Sequence, residues 1–252
     1  MPNSLAGVLT TEDYLESIRR DSEAFADAVD GNWGTAVEKC PGWDVSDLLW
    51  HLRGVQYFWA TIVAERLKSP ETVEELERPT DNDQLLADFR QGAKNLVEAL
   101  GSADQTEPVW TWASQKDVAF ITRHQAGEAA VHRWDAEHAA GRSYEIPAPI
   151  ASDAIDEFLQ FSAAIRIEDA PAIETPLCLV ASDTHESWLV GEDDHLALWA
   201  VRNPDDITGH AATWKAPASE LLLALFRRVE PSGEIEGNPL LVERLIAHTD
   251  LS

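Results

Sequence analysis

A chain of 252 residues with 44% hydrophobic content is long enough for one large domain or two ordinary ones with packed cores. Its 45 acidic against 19 basic residues leave a formal charge of −26, which opposes nucleic-acid binding, because that binding rests on Lys and Arg displacing counterions from phosphates. No apolar run approaches the roughly 18 residues of a membrane span, and the N-terminus lacks the basic start and apolar run of a signal peptide. The expectation is therefore a cytoplasmic protein, a monomer or weak dimer, with neither nucleic acid nor membrane as partner.

In chain order, four helical segments come first, near 10–30, 44–67, 81–101 and 117–141. Thr10 and Thr11 with Glu12 and Asp13 open the first, Asp44 opens the second and Asp81 to Asp83 the third, while Gly31, Gly101 and Gly141 fit helix ends. Four helices of this length, each with one apolar face, make a four-helix bundle over 1–146 the economical solution. The 68–80 stretch, with Pro70 and Pro79, reads as a crossover, and 102–116, with Trp110 and Trp112, as a long connection over one end of the bundle.

Beyond Pro147 and Pro149 the pattern changes. A helix near 150–168 leads to β-prone runs at 176–181, 187–190, 196–201 and 210–215, then to helices at 219–228 and 238–246. Residues 147–252 thus read as a small α+β domain with an antiparallel sheet covered by helices, and the whole chain as α+β. Trp59, Trp188 and Trp199 fall on apolar patterns and read as core. Cys40 and Cys178 are far apart, with no C-x-x-C pattern, so neither a disulfide framework nor a cysteine-rich metal site is expected. Cys40, just before a helix start, is either a reactive thiol or a small buried residue.

Chemistry concentrates in Arg123-His-Gln-Ala-Gly-Glu-Ala-Ala-Val-His-Arg-Trp-Asp135. Glu128 and His132 stand four apart, so on a helix the carboxylate and imidazole project from one face about one turn apart. His51, within the second helical segment, supplies a third donor. Two imidazoles and a carboxylate form the ligand class of catalytic zinc, whose fourth position is left to water or substrate. The same spacing also fits a solvated face, and His51 beside an apolar stripe also fits a core histidine. His124 lies on the face of Glu128 and His132, as an alternative ligand, a supporting group or a surface residue. Asp135 either orients His132 or pairs with Arg133. Arg53, Arg90, Arg123, Arg227 and Arg228 are the cations available to grip an anion; Arg90, within an otherwise apolar stretch, stands first. Trp110 and Trp112 are the aromatic residues placed to line a site. His185 and His195 have no ligand-like setting.

Three segments carry a resemblance to the mycothiol-dependent maleylpyruvate isomerase family, whose N-terminal half is a DinB-like metal-binding bundle. They are Pro41-Gly-Trp-Asp-Val-Ser-Asp-Leu-Leu-Trp-His51-Leu, then Val109-Trp-Thr-Trp112 with Arg123 to Asp135, and Ala216-Pro-Ala-Ser-Glu-Leu-Leu-Leu-Ala-Leu-Phe-Arg-Arg228. The third is mainly a helix pattern. The resemblance implies metal ligation by His51, Glu128 and His132, a divalent ion with zinc the first choice, and mycothiol as cofactor. By their positions in the chain, Trp110, Trp112 and Arg123 are expected toward the thiol and Arg90 toward the substrate. Metal coordination would hold the thiol as a nucleophilic thiolate. The implied reactions are isomerisation of a small anionic substrate or S-transfer to an electrophile, with a non-catalytic metal-binding stress protein as the alternative. Gln56 stands where members often carry a second histidine, and His124 where a basic residue is common, which leaves specificity open.

Overall fold

Sequence signals of one kind start the four long helices. In the computed structural model, which describes residues 9–162, 171–195, 197–206 and 208–247, α1 spans Thr11–Val29, α2 Val45–Ala64, α3 Asn82–Ser102 and α4 Val118–Ala139. Thr10, Asp44, Asp81 and Asp117 precede them in extended backbone, and each side chain accepts a first-turn N–H that the helix itself leaves unpaired. For α1 and α2 the cap is reciprocal, since Asp13 and Asp47 accept the backbone N–H of Thr10 and Asp44. Gly31 and Gly141 take φ of 76° and 70° just beyond α1 and α4, the left-handed turn that leads a chain off a helix. Gly101 is different. The helix runs through it to Ser102, and a Cβ there would stand 3.2 Å from Leu15 Cδ1 of α1, so this glycine serves close packing rather than the helix end expected of it.

Apolar stripes decide how the helices assemble. Ile18, Phe25 and Val29 of α1, Leu48, Leu49 and Leu52 of α2, Leu85, Phe89 and Leu96 of α3, and Phe120 and Ile121 of α4 are fully buried. Each such side chain contributes about 1.5–3 kcal/mol of transfer free energy. The Phe25 and Phe89 rings meet at 5.0 Å. Both α1 and α2 pack mainly against α3 and α4, so the α2/α4 seam and the α1/α3 seam lie on opposite sides of the bundle. A buried carboxylate ties α1 to α4 and its continuation. Asp21 accepts from Ser17, Arg20, Arg133 and Tyr144.

The 68–80 stretch is without helix or strand and is tied to the start of α2 by Arg78, which donates to Asp47 at 2.6 Å and Ser46 at 2.9 Å. The 102–116 connection is held by Trp110 N–H on the Leu67 carbonyl, 2.7 Å. No described helix is long and apolar enough to cross a membrane.

Residues 147–252 cluster apart from 8–146. α5 (Ala148–Glu157) ends in a π-helical turn, Phe158–Ser162; residues 163–168 of the expected helix lie outside the described residues. Strands β1 (Leu177–Ala181), β2 (Ser187–Glu192), β3 (Leu198–Arg202), β4 (Ala212–Ala216) and β5 (Glu234–Gly237) form one sheet in the order β3-β2-β1-β4-β5. Leu196, where the third expected run begins, lies outside the described residues. The sheet is antiparallel except for β1 against β4, which run parallel. That pair, and β5 itself, are additions to the sequence reading. The parallel pairing is possible because the chain passes through β2 and β3 before returning. α6 (Ala218–Leu225) and α7 (Leu240–Ala247) complete the unit; α6 stops short of residue 228 because Arg227 takes a φ of 56°. Trp188 and Trp214 are fully buried, with their indole N–H groups on Asp156 and the Ser232 carbonyl, as buried tryptophans require. Trp59 is likewise core, whereas Trp199 is only partly buried.

Candidate metal centre

Glu128 and His132 share one face of α4, and His51 reaches them from α2 across the seam. Glu128 Oε1 lies 3.2 Å from His132 Nε2 and 3.7 Å from His51 Nε2, and the three donor atoms fall within 4.8 Å of one another. Ligand atoms bound to a tetrahedral zinc at about 2.0–2.1 Å stand about 3.3 Å apart. The pair on α4 is already at that separation, and His51 has only a short distance to close. Exposure is graded: the side chains of His132, Glu128 and His51 are 9%, 20% and 35% exposed, so the donor set is sheltered on one side and open on the other.

Partners fix the ligands. Asp135, fully buried, accepts from His132 Nδ1 at 3.0 Å, which sets the tautomer and leaves Nε2 toward Glu128. Arg133 is engaged by Asp21 and Glu137, so of the two roles open to Asp135 the structure places it on His132. Cys40 makes a long sulfur hydrogen bond, 4.0 Å, to the same Asp135 oxygen. The loop before α2 is closed by Val37 N–H on the Trp43 carbonyl and presents Trp43 to His51, ring centroids 4.9 Å apart. Burial alone would lower the His132 pKa, but the hydrogen bonds to Asp135 and Glu128 outweigh it and push the pKa up to about 9. Burial alone would raise Glu128; hydrogen bonds from His132 and His51 outweigh it and hold the carboxyl well below the usual carboxylate range. The polar groups are thus mutually compensated as a proton-sharing cluster, the same charges a divalent cation would bind.

Outside His51 lies a cleft of about 860 Å³ between α2 and the 68–80 stretch, with Trp43, Trp50, Tyr57 and Phe58 in its wall. Trp110 stacks on Trp59 at 5.9 Å and meets Phe58 edge-on at 5.8 Å, so it backs the cleft from behind. Trp112 packs against Phe120 and His124. His124 lies among Trp59, Trp112 and Phe120, outside the three-donor group.

The remaining candidates are distributed elsewhere. Arg90 pairs with Asp27 of α1 at 2.9 Å and lines a groove on the α1/α3 side, across the bundle from the ligands; the structure does not bring it to them. Arg53 faces Asp88 of α3 at 3.8 Å and lies over the Trp50 ring. Arg123 sits on α4 five residues before Glu128, about 140° round the helix from it. Gln56 donates to Ser22 of α1 inside the bundle. Arg227 donates to the Ile246 carbonyl and Arg228 to that of Phe226, both in the C-terminal unit. Cys178 is buried, which raises its thiol pKa. Sequence reading missed the wall of the cleft. Its signal was present in α2, where Gly54, Val55 and Phe58 follow His51 at helical spacing.

A four-helix bundle that presents two imidazoles and a carboxylate across one seam, followed by an α+β unit, defines a helical-bundle protein with a candidate metal centre. Residues 15–137, most of the four-helix bundle, match the family described as mycothiol maleylpyruvate isomerase N-terminal domain. Among solved structures it is similar to the crystal structure of a mycothiol-dependent maleylpyruvate isomerase, with 13% identity, 91% of this chain and 95% of that chain covered, and a TM-score of 0.63. It is also similar to a histidine-to-alanine mutant of a mycothiol-dependent maleylpyruvate isomerase, with 13% identity, 85% and 88% covered, and a TM-score of 0.58. At that identity the likeness establishes the fold. No curated protein sequence matches.

Proposed function

We propose that this chain is a cytoplasmic metal-dependent enzyme that uses mycothiol, a low-molecular-weight thiol, to isomerise or capture a small electrophile. The observation that carries the reading is the convergence of His51, Glu128 and His132 donor atoms within 4.8 Å in a bundle that matches this family over residues 15–137. The donor set fits zinc, with a position left for a non-protein ligand. Bound there, the ion lowers the pKa of a thiol, so that the nucleophile is available at neutral pH.

The chain's own residues do the rest. Asp135 holds Nδ1 of His132, which makes Nε2 the nitrogen that would ligate once its proton is displaced. Trp43 holds the His51 ring from the loop side. Trp110 acts through Phe58, supporting the wall along which the substrate approaches. The test is thiol-dependent turnover by zinc-loaded protein with mycothiol and either maleylpyruvate or a bimane-type electrophile. Turnover of either that disappears in His51→Ala supports the reading. Turnover of neither, with zinc bound, contradicts it.

A further inference from the structure

The cleft beside His51 has a charge character that bears on what it accepts. Its wall is aromatic, with Trp43, Trp50, Tyr57 and Phe58, and its charged lining consists of Asp47, Glu74 and Glu75, without Lys or Arg among the described residues that line it. At about 860 Å³ it falls in the size range of small-molecule sites.

The neighbouring cations do not line the cleft. Arg78 is bound by Asp47, and Arg53, 3.8 Å from Asp88, lies over the Trp50 ring with its Nε and Nη1 buried and without a hydrogen-bond partner. Arg66 lies 3.9 Å from Glu107, and Lys68 donates to the Pro108 carbonyl. Asp47 is therefore neutralised by Arg78, which holds its pKa below the usual value. Glu74 and Glu75 are exposed and form no ion pair among the described residues. A dicarboxylate such as maleylpyruvate needs Arg or Lys donors to replace its hydration. Here it would meet two uncompensated carboxylates instead.

We infer that the substrate taken in this cleft is an uncharged, conjugated electrophile stacked against Trp50, Tyr57 and Phe58, and that Glu74 and Glu75 exclude dicarboxylates. This rests on the thiol-dependent reading above and names its substrate class. In the reaction, the thiol sulfur forms a bond to one carbon of an electron-poor double bond, and the π pair moves to the neighbouring carbon. That carbon takes the proton the thiol gave up, so thiol and electrophile are the only species consumed. If the adduct instead rotates about the new single bond and expels the thiol, the cis alkene emerges as trans.

A matched pair of probes tests the charge selection: dimethyl maleate, which is neutral, and maleate, a dianion. Zinc-loaded protein is given mycothiol with each, and loss of the cis alkene is divided by its uncatalysed rate with the same thiol. Repulsion of a dianion by two carboxylates at about a Debye length is on the order of threefold. The expected result is a normalised kcat/KM at least about threefold higher for the diester, a maleate rate that rises with salt, and a Glu74→Lys/Glu75→Lys variant that shifts the ratio at least about fivefold toward maleate. Equal efficiency, or a preference for maleate, overturns the inference while leaving the thiol-dependent reading intact. Loss of neither alkene also overturns the inference, and the thiol-dependent reading falls with it where maleylpyruvate and the bimane-type electrophile are left unreacted as well.

Discussion

Asp135 holds Nδ1 of His132 at 3.0 Å while Nε2 of the same ring lies 3.2 Å from Glu128. One imidazole is thus oriented by a buried carboxylate on one side and offered to the donor cluster on the other. Partners of this kind set ligand basicity and direction in metal sites, and their removal weakens metal binding about 10–100-fold. Asp135→Asn is therefore expected to weaken zinc affinity within that range while retaining the fold, as measured by competition with a chromophoric chelator and by circular dichroism. Unchanged affinity would show that His132 does not ligate through the oriented ring.

The raised His132 pKa has a definite sign for stability. Because the folded value is about 9 against an ordinary 6.5, the protonated ring stabilises metal-free protein fully below about pH 6.5, and that contribution is lost as pH rises toward 9. Melting of chelated protein should therefore move to lower temperature across that window, and His132→Gln should flatten the change. Zinc must displace this proton, so calorimetry in buffers of different ionisation enthalpy should record proton release on zinc uptake at pH 7. A titration without proton release would contradict the assignment.

Asp21 is fully buried and accepts from Ser17, Arg20, Arg133 and Tyr144. Removing the carboxylate leaves Arg133, mostly buried, with its Glu137 contact at 3.5 Å. Loss of one partner from such a pair costs about 3–5 kcal/mol. Asp21→Ala should lose that much in urea unfolding and Tyr144→Phe distinctly less. Similar small losses in both would mean that the network is solvent-compensated.

A catalytic site and a metal clamp differ in what chelation does. With Phe25, Leu48, Leu49, Leu85 and Phe89 fully buried in a shared core, the bundle has an apolar basis for stability without an ion. Chelated protein should keep its helical circular dichroism at 25 °C and lose thiol-dependent turnover. Collapse of the helical signal on chelation would favour the clamp.

The four helices could be read from the sequence because their starts are local: Thr10, Asp44 and Asp81 announce themselves one residue before each apolar pattern. The trio at 51, 128 and 132 was accessible because two of its members share a helical face, His51 stands in a second helical segment, and the family resemblance falls on the same three residues. Non-local relations were not accessible. β5 has one apolar residue in Glu234-Ile-Glu-Gly237 and owes its existence to pairing with β4. Arg90 lies in an apolar stretch as the pattern indicates, but which helix it faces depends on bundle order, and that order sets it beside Asp27 of α1. The acidic, aromatic cleft arises from α2 meeting the 68–80 stretch, a contact that no local spacing encodes.

The most direct measurement is metal content by mass spectrometry of protein purified without a metal-binding tag, beside the His51→Ala, Glu128→Ala, His132→Ala triple variant. Near-stoichiometric zinc in the parent and its loss in a folded variant is the predicted result. A parent that takes up no zinc, nickel or manganese even on reconstitution, or a variant that retains the metal, would contradict a metal centre formed by these three residues.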